Sequence, residues 1–550
     1  MQPRTDLLIT GGPIWTGRSD QPWVEALAVR DGKVAAAGPL AAVREVSAPG
    51  AETLLLRGRA VIPAFHDAHC HPMGGGLQQR SCDLEGARSP SECQERVRTY
   101  LASHPDVEWV VGKGWSMELF PRGTPGRHLL DQVTGERPAY LTNRDGHSAW
   151  VNSAALRLAG IEAATPDPPH GRIERTDGGE PQGTLHEGAM ELVERLAPPT
   201  TDAERVAALR QAQAHLHSLG IAGWQDAMVD PETEAAYVAL AGTGELSARV
   251  RLALWWEREK GLDQVEELAI RRQRLADAGL DAGSVKIMLD GVMETFTAAL
   301  LEPYLTLPGG PPAGQRGHLF LVPEMAVAAT SALQRDGFQV HFHAIGDRAV
   351  RVALDAVESA STGGGQDLRH HIAHIQLVDP ADLHRFHQLQ VVANMQPFWA
   401  CHEPQMDELT IPFLGPERSP HQYPFRDLAD SGAVLAGGSD WPVSTANPLE
   451  EIAVAATRRA PPDGAGGPPS LPPFLPEQGL PLATALSAFT AGSAYVNHLE
   501  HLTGTLEAGK AADLVVLAQD PFAVGPERLP EAQVEITMVD GRVVFHRGGN

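Results

Sequence analysis

Eight short apolar runs, each ending in polar residues, constrain this chain more than any other feature. They are Ala60–Phe65 leading into His69 and His71, Ile221–Asp226, Val250–Trp256, Ser284–Asp290, Phe338–His343, His371–Gln376, Val391–Pro397 and Val434–Asp440. Five of them place a candidate metal ligand at or near the carboxyl end: His69 and His71, Lys286, His343, His374 and Asp440. A parallel strand buried on both faces reads as such a run, and functional groups collect where parallel barrel strands end.

Between the runs the pattern is helical. DRAVRVALDAVESA follows Phe338–His343, and DPADLHRFHQL follows His371–Gln376 with Asp379-Pro380 as a helix start. Strand, helix, strand with short links means βαβ units and parallel pairing. The expected fold is α/β, a (β/α)8 TIM-like barrel over residues 61–502, with a doubly wound open sheet as runner-up. Residues from about 73 to 200 exceed one βα loop and read as an inserted subdomain over the barrel mouth. Residues 1–60 and 503–550 are β-rich, with Asp31-Gly32 and Asp540-Gly541 as hairpin turns. Neither end can bury its faces alone, so the two are expected to pair into one composite β-sandwich. Thr165–Gly183 and Pro461–Gly479, rich in Pro and Gly, read as surface loops.

The net charge of −25 over 550 residues argues against a nucleic-acid or anionic-membrane partner. No cationic segment followed by an apolar stretch opens the chain, and no apolar run approaches the roughly 18 residues of a membrane span. The four cysteines, Cys70, Cys82, Cys93 and Cys401, lack CxxC spacing and read as free thiols, so a cytoplasmic location is expected.

His69 and His71 stand two apart at a strand end, so their imidazoles share a face and Cys70 points away. Imidazole nitrogen suits Zn²⁺ and similar ions. Two other His-x-His pairs read differently. His215 and His217 lie in a helical pattern, where positions two apart do not face each other, and read as surface or packing residues. Of His341 and His343, His343 is nearer the mouth and is the candidate ligand; His341 lies deeper, as a supporting or core residue. His374 ends its run, while His370 and His371 begin it and read as exposed or packing residues. Asp440, after two glycines in AGGSDWPV, reads as a metal ligand and proton shuttle, or alone as a helix N-cap. Lys286 sits inside an apolar strand, costly unless paired with Asp290 or Glu294 or neutralised. Near two cations its amine can take up CO₂ as a bridging carbamate.

VIPAFHDAHCHP resembles the proline-led His-x-His signature of the amidohydrolase superfamily. GKGWSMELF, NRDGHSAWVNSAAL, VKIMLDG, HFHAIGDRAV, HIAHIQLVDPADLHRF, GSDWPV and GTLEAGKAADLVVL resemble its amidohydrolase family 3 branch, which includes N-substituted formamide deformylases. The resemblance runs from about residue 5 to 546. It implies that His69, His71 and Asp440 hold the more buried of two divalent ions, that His343 and His374 hold the more exposed one, and that carbamylated Lys286 bridges them. It also implies a homodimer. Ala373 stands where the branch often has glutamate, which removes a support for His374. His66 and Cys70 replace commoner apolar residues on the face away from the ligands.

The expected function is hydrolysis of a linear amide, such as an N-substituted formamide, by metal-activated water. Asp440 would act as base and then acid, and His147 of the DGHSAW loop would hydrogen-bond the developing oxyanion or serve a structural role. Trp115, Trp150, Phe398, Trp399 and Trp441 are expected at the mouth, favouring an apolar N-substituent, or singly as core packing under the lid, with His402 and Glu403 as further substrate contacts. Two alternatives stand. One is a single-metal deaminase of the same superfamily; the other is a silent scaffold, against which the retention of all six ligand candidates argues.

Overall fold

The computed structural model describes residues 6–308, 310–360, 367–461 and 471–548. Eight strands run in sequence order through one sheet: β1 (Phe65–Cys70), β2 (Ile221–Val229), β3 (Arg249–Trp255), β4 (Asp281–Met288), β5 (Gln339–Ala344), β6 (His371–His374), β7 (Val392–Met395) and β8 (Leu435–Gly437). Every neighbouring pair is parallel. A doubly wound sheet reverses its order part-way; this one never does. β1 meets the chain just past the end of β8, where Asp440 N–H donates to the His69 carbonyl and His71 N–H to the Trp441 carbonyl, each at 2.7 Å. The barrel is therefore nearly closed, its seam stitched by backbone bonds of His69, His71, Asp440 and Trp441.

Local signals start the flanking helices. Thr201 and Glu204 form a reciprocal capping box ahead of Asp202–Ser218, and Asp230 caps Pro231–Gly242 with proline at its first position. In the first of these, His217 bonds the Ile221 carbonyl and Ser247, and the His215 ring packs 5.1 Å from Trp441. Both act in packing.

The two chain ends join in one eight-stranded sheet, in which Leu514–Leu517 pairs antiparallel with Ala60–Pro63. Asp31-Gly32 and Asp540-Gly541 turn its hairpins, all four residues at positive φ. This corrects the reading of Ala60–Phe65 as the first barrel strand. Ala60–Pro63 belongs to the terminal sheet, which reaches residue 63 rather than 60, and the barrel begins with Phe65–Cys70. Both segments are apolar and buried, so hydrophobicity alone cannot divide them.

Within the long segment after β1, Cys82–Asp83, Val110–Trp115, Ala139–Asn143, Ser148–Val151, Gly171–Arg175 and Pro181–Glu187 form a separate six-stranded sheet with its own cores. Thr165–Gly183 is thus not only loop: its middle forms one arm of a hairpin, Gly171–Arg175 paired with Pro181–Glu187. Within Pro461–Gly479, residues 462–470 lie outside the described residues. Among the described residues, no helix is long and apolar enough to cross a membrane.

Candidate metal centre

β1 delivers His69, and His71 follows one residue past its end. Their Nε2 atoms lie 3.1 and 3.0 Å from the same oxygen, Asp440 Oδ1. The other carboxylate oxygen lies 3.9 Å from His374 Nδ1. The His374 ring centre is 4.8 Å from that of His69 and 4.4 Å from that of His343. Side chains from β1, β5, β6 and the end of β8 therefore converge, although more than 370 residues separate His69 from Asp440. Asp440 at φ 58° and His374 at φ 77° hold left-handed backbone, a strained conformation for non-glycine residues that concentrates at functional sites.

Buried groups fix this geometry. Asp67 accepts from His69 N–H, Ser439 N–H and the Ser439 hydroxyl, tying β1 to the loop that carries Asp440. Gln396 Oε1 accepts from His374 N–H at 2.6 Å, supporting that residue where Ala373 offers no polar group. His66 and Cys70 point elsewhere, toward Thr503 and the Gln225 carbonyl. His370 and His371 are both buried, which corrects the exposed alternative. His370 bonds Gln334, and His371 lies inside the barrel with its ring 4.0 Å from that of His341.

Burial drives the imidazoles of His343 and His374 well below their ordinary pKa and lowers His69 to about 3. All three are neutral at pH 7 and offer lone pairs. Burial opposes the charge of Asp440, but the surrounding histidines, His71 by a hydrogen bond, shift its carboxyl well below the usual carboxylate range. His69 Nε2 is fully buried and finds no hydrogen bond of acceptable geometry, despite its approach to Asp440. Two imidazole nitrogens and a carboxylate aimed at one point suit a divalent cation. Ligand atoms of His69, His374 and Asp440 all lie within 4.8 Å of one another.

Lys286 projects into the same interior. Burial lowers its amine to about 7, and Asp440 works against that shift. It forms no salt bridge to Asp290 or Glu294. Asp290 instead accepts from the backbone of Ala299, Ile345 and Gly346, and Lys286 Nζ lies 3.5 Å from His69 Nδ1. From the inserted sheet, His147 reaches a ring-centre distance of 6.2 Å from His343. Its Nδ1 lies 3.0 Å from Glu187 Oε1, and Glu187 also accepts from Thr297 in the loop after β4. Burial disfavours the His147 charge, yet Glu187 carries its pKa up to about 9.

A family model described as amidohydrolase family matches residues 53–545. The chain belongs to the amidohydrolase family. It is 30% identical to the protein LONG AFTER FAR-RED 3 of Arabidopsis thaliana, over 98% of this chain and 91% of that one. It is 26% identical to an N-substituted formamide deformylase of Arthrobacter pascens, with both chains covered completely. An uncharacterized metal-dependent hydrolase of Pyrococcus horikoshii superposes with a TM-score of 0.73 at 27% identity, covering 95% of this chain and 99% of that one.

In this amidohydrolase the aromatic residues expected at the mouth are mostly elsewhere. Trp115 and Trp150 are wholly buried in the inserted unit, packed with Phe120, and their N–H groups bond the carbonyls of Leu141 and Gly126. Trp441 turns its ring against Gly75 and His215, and Phe398 is core. These four are corrections: a large apolar ring next to a motif gains more by packing than by facing a polar site. Trp399 remains partly exposed, beneath the Arg144 guanidinium at 4.7 Å. His402 bonds Asp407, and Glu403 is buried 3.5 Å from Arg144, its carboxyl pushed up to about 7 by burial.

Sequence reasoning missed Asp67, Gln396 and Glu187. Asp67 carried a signal, an acid within an apolar strand, the same anomaly that marked Lys286. Glu187 and Gln396 carried none, because their roles come from contacts with loops distant in sequence.

Proposed function

We propose that this protein is a metal-dependent amidohydrolase that cleaves the C–N bond of a linear amide, with an N-substituted formamide as the first substrate to try. One observation carries the reading: a single buried carboxylate, Asp440, meets His69 and His71 on one oxygen while His374 and His343 stand on its other side. His69, His71 and Asp440 would hold one Zn²⁺ or similar ion, and His343 with His374 a second. Lys286 would bridge them as a carbamate, a reaction that needs the neutral amine favoured by its burial. Such ions make water acidic enough to attack at neutral pH and polarise a carbonyl oxygen.

The chain's own groups supply the rest. Asp440 stays ionised, accepts a proton from the attacking water and returns it to the departing nitrogen. His147, charged and held by Glu187, donates a hydrogen bond to the carbonyl oxygen as negative charge grows there. The inserted sheet thus acts as a lid that brings His147 to the barrel. Trp399 and His402 line the side where the nitrogen substituent lies. With four aromatics withdrawn into cores and Arg144 across Trp399, that side favours a substituent with polar atoms over a purely apolar one.

The close grouping of His69, His374 and Asp440 favours a second reading, a single-ion deaminase. Metal analysis of the purified protein, combined with an amide, formamide and aminated-ring panel scored for amine or ammonia release, separates the two. Two ions per chain with amine release supports amide hydrolysis, one ion with ammonia release supports deamination, and inactivity of the metal-loaded protein on all three classes counts against both.

A further inference from the structure

Beneath the metal centre the barrel interior is polar, and its hydrogen bonds run in one direction. At the bottom, Gln339 Nε2 donates to the backbone carbonyls of Arg369 and Val496, each at 2.8 Å. Backbone carbonyls only accept, so the orientation of this amide is fixed. Gln339 Oε1 must then face donors. It receives Arg251 Nε at 3.2 Å and Gln225 Nε2 at 3.3 Å, and the same Gln225 nitrogen donates to Asn497 Oδ1 at 2.9 Å. That turns Gln225 Oε1 toward His341 Nδ1, 2.6 Å away. His341 therefore carries its proton on Nδ1 and presents a lone pair at Nε2. His69 Nδ1 lies 2.8 Å from that lone pair, which requires the proton on His69 Nδ1. Lys286 Nζ stands farther from both ring nitrogens, at 3.4 and 3.5 Å, so it does not displace this bond. The sequence of contacts ends with a bare lone pair on His69 Nε2, facing Asp440.

We infer that Gln225 and His341 are positioning residues, which set the tautomer of His69 from the barrel floor and leave its Nε2 free for a metal ion. Gln225, Gln339, His341 and His69 are all fully buried, so no water competes for the bonds. They come from β1, β2 and β5, so the polarity is a property of the assembled barrel and not of a local motif. Without the acceptor at His341, His69 is free to place its proton on Nε2 and lose its ligand atom. The inference rests on the proposed metal centre and extends it below the ligands, where outer hydrogen bonds commonly tune metal affinity.

The test is a Zn²⁺ titration of the metal-free full-length protein against a chromophoric chelator, with melting curves as a control for folding. His341→Leu removes the acceptor, whereas His341→Gln keeps a carbonyl oxygen for His69 Nδ1–H and an N–H for Gln225. Expected are a 10- to 100-fold loss of Zn²⁺ affinity in His341→Leu and near-native affinity, within about threefold, in His341→Gln. Gln225→Met, similar in volume but without an acceptor, is expected to follow His341→Leu, and decides the matter if that variant does not fold. Native affinity in folded His341→Leu or Gln225→Met overturns the inference, as does equal loss in folded His341→Leu and His341→Gln. His69→Ala separates the levels: if it binds Zn²⁺ like the wild type, the metal centre itself is misassigned; if it loses Zn²⁺ while His341→Leu does not, only the inferred control of the tautomer fails.

Discussion

Asp440 combines a backbone that is costly for its residue type with a side chain that three imidazoles approach. A left-handed non-glycine residue costs about 1–3 kcal/mol, and persists where the surroundings over-determine it. Here His69 and Asp440 are joined by their backbone as well as their side chains. Replacing either side chain therefore removes chemistry without opening the seam. His69→Ala and Asp440→Ala are each expected to lower turnover by at least about 10²–10⁴-fold while circular dichroism and melting stay close to the wild type; full activity in either variant refutes the assignment. Lys286→Ala is expected to lose activity that CO₂ with a short carboxylic acid restores in part, and an absence of rescue counts against the carbamate. The candidate ligands stood out in the sequence because histidine, lysine and aspartate are unusual in or just after apolar strands. Glu187, by contrast, looks like any acid in a hairpin.

Among the elements, the strand pair Ser148–Val151 and Pro181–Glu187 decides what the insertion offers the barrel. Ser148 lies opposite His186, and the two side chains bond each other at 2.8 Å. The next residues along, His147 and Glu187, therefore point to the other side, where they meet each other and Thr297. The His147 pKa rises from its ordinary 6.5 to about 9 in the folded state. Its ion pair thus stabilises fully below about pH 6.5, and that contribution is lost as pH rises through about 9. The difference in melting temperature between the metal-free wild type and Glu187→Gln is expected to shrink between pH 6.5 and pH 10. A difference that stays constant or grows removes the ion pair. The barrel strands were legible as elements because burial on both faces leaves an apolar signature. Their division from the terminal sheet at residues 63–65 was not, since both sides of that boundary are buried.

At the scale of the molecule, the terminal sheet is fastened to the barrel by charge as well as by packing. Arg249 in β3 forms a two-point contact with Asp513, at 2.5 and 3.0 Å, and a third bond to Asp540. The Asp513 side chain is completely buried, so it depends on this partner. Arg249→Met is expected to destabilise the protein by about 3–5 kcal/mol in urea unfolding, because it leaves a buried carboxylate unpaired; a change near zero shows that the join rests on packing alone. The pairing of the chain ends was foreseeable from two β-rich segments that could not bury themselves separately. That it takes the form of a single continuous sheet depends on the register of Leu514–Leu517 against Ala60–Pro63, which no local pattern encodes. Everything chemical depends on cation binding where β1, β5, β6 and β8 converge. Anomalous X-ray diffraction from crystals of the metal-loaded protein, recorded at the absorption edge of the bound metal, tests this directly. A peak within coordination distance of His69 Nε2 and an Asp440 oxygen is the predicted result. A peak elsewhere, or none in a protein saturated with metal, contradicts it.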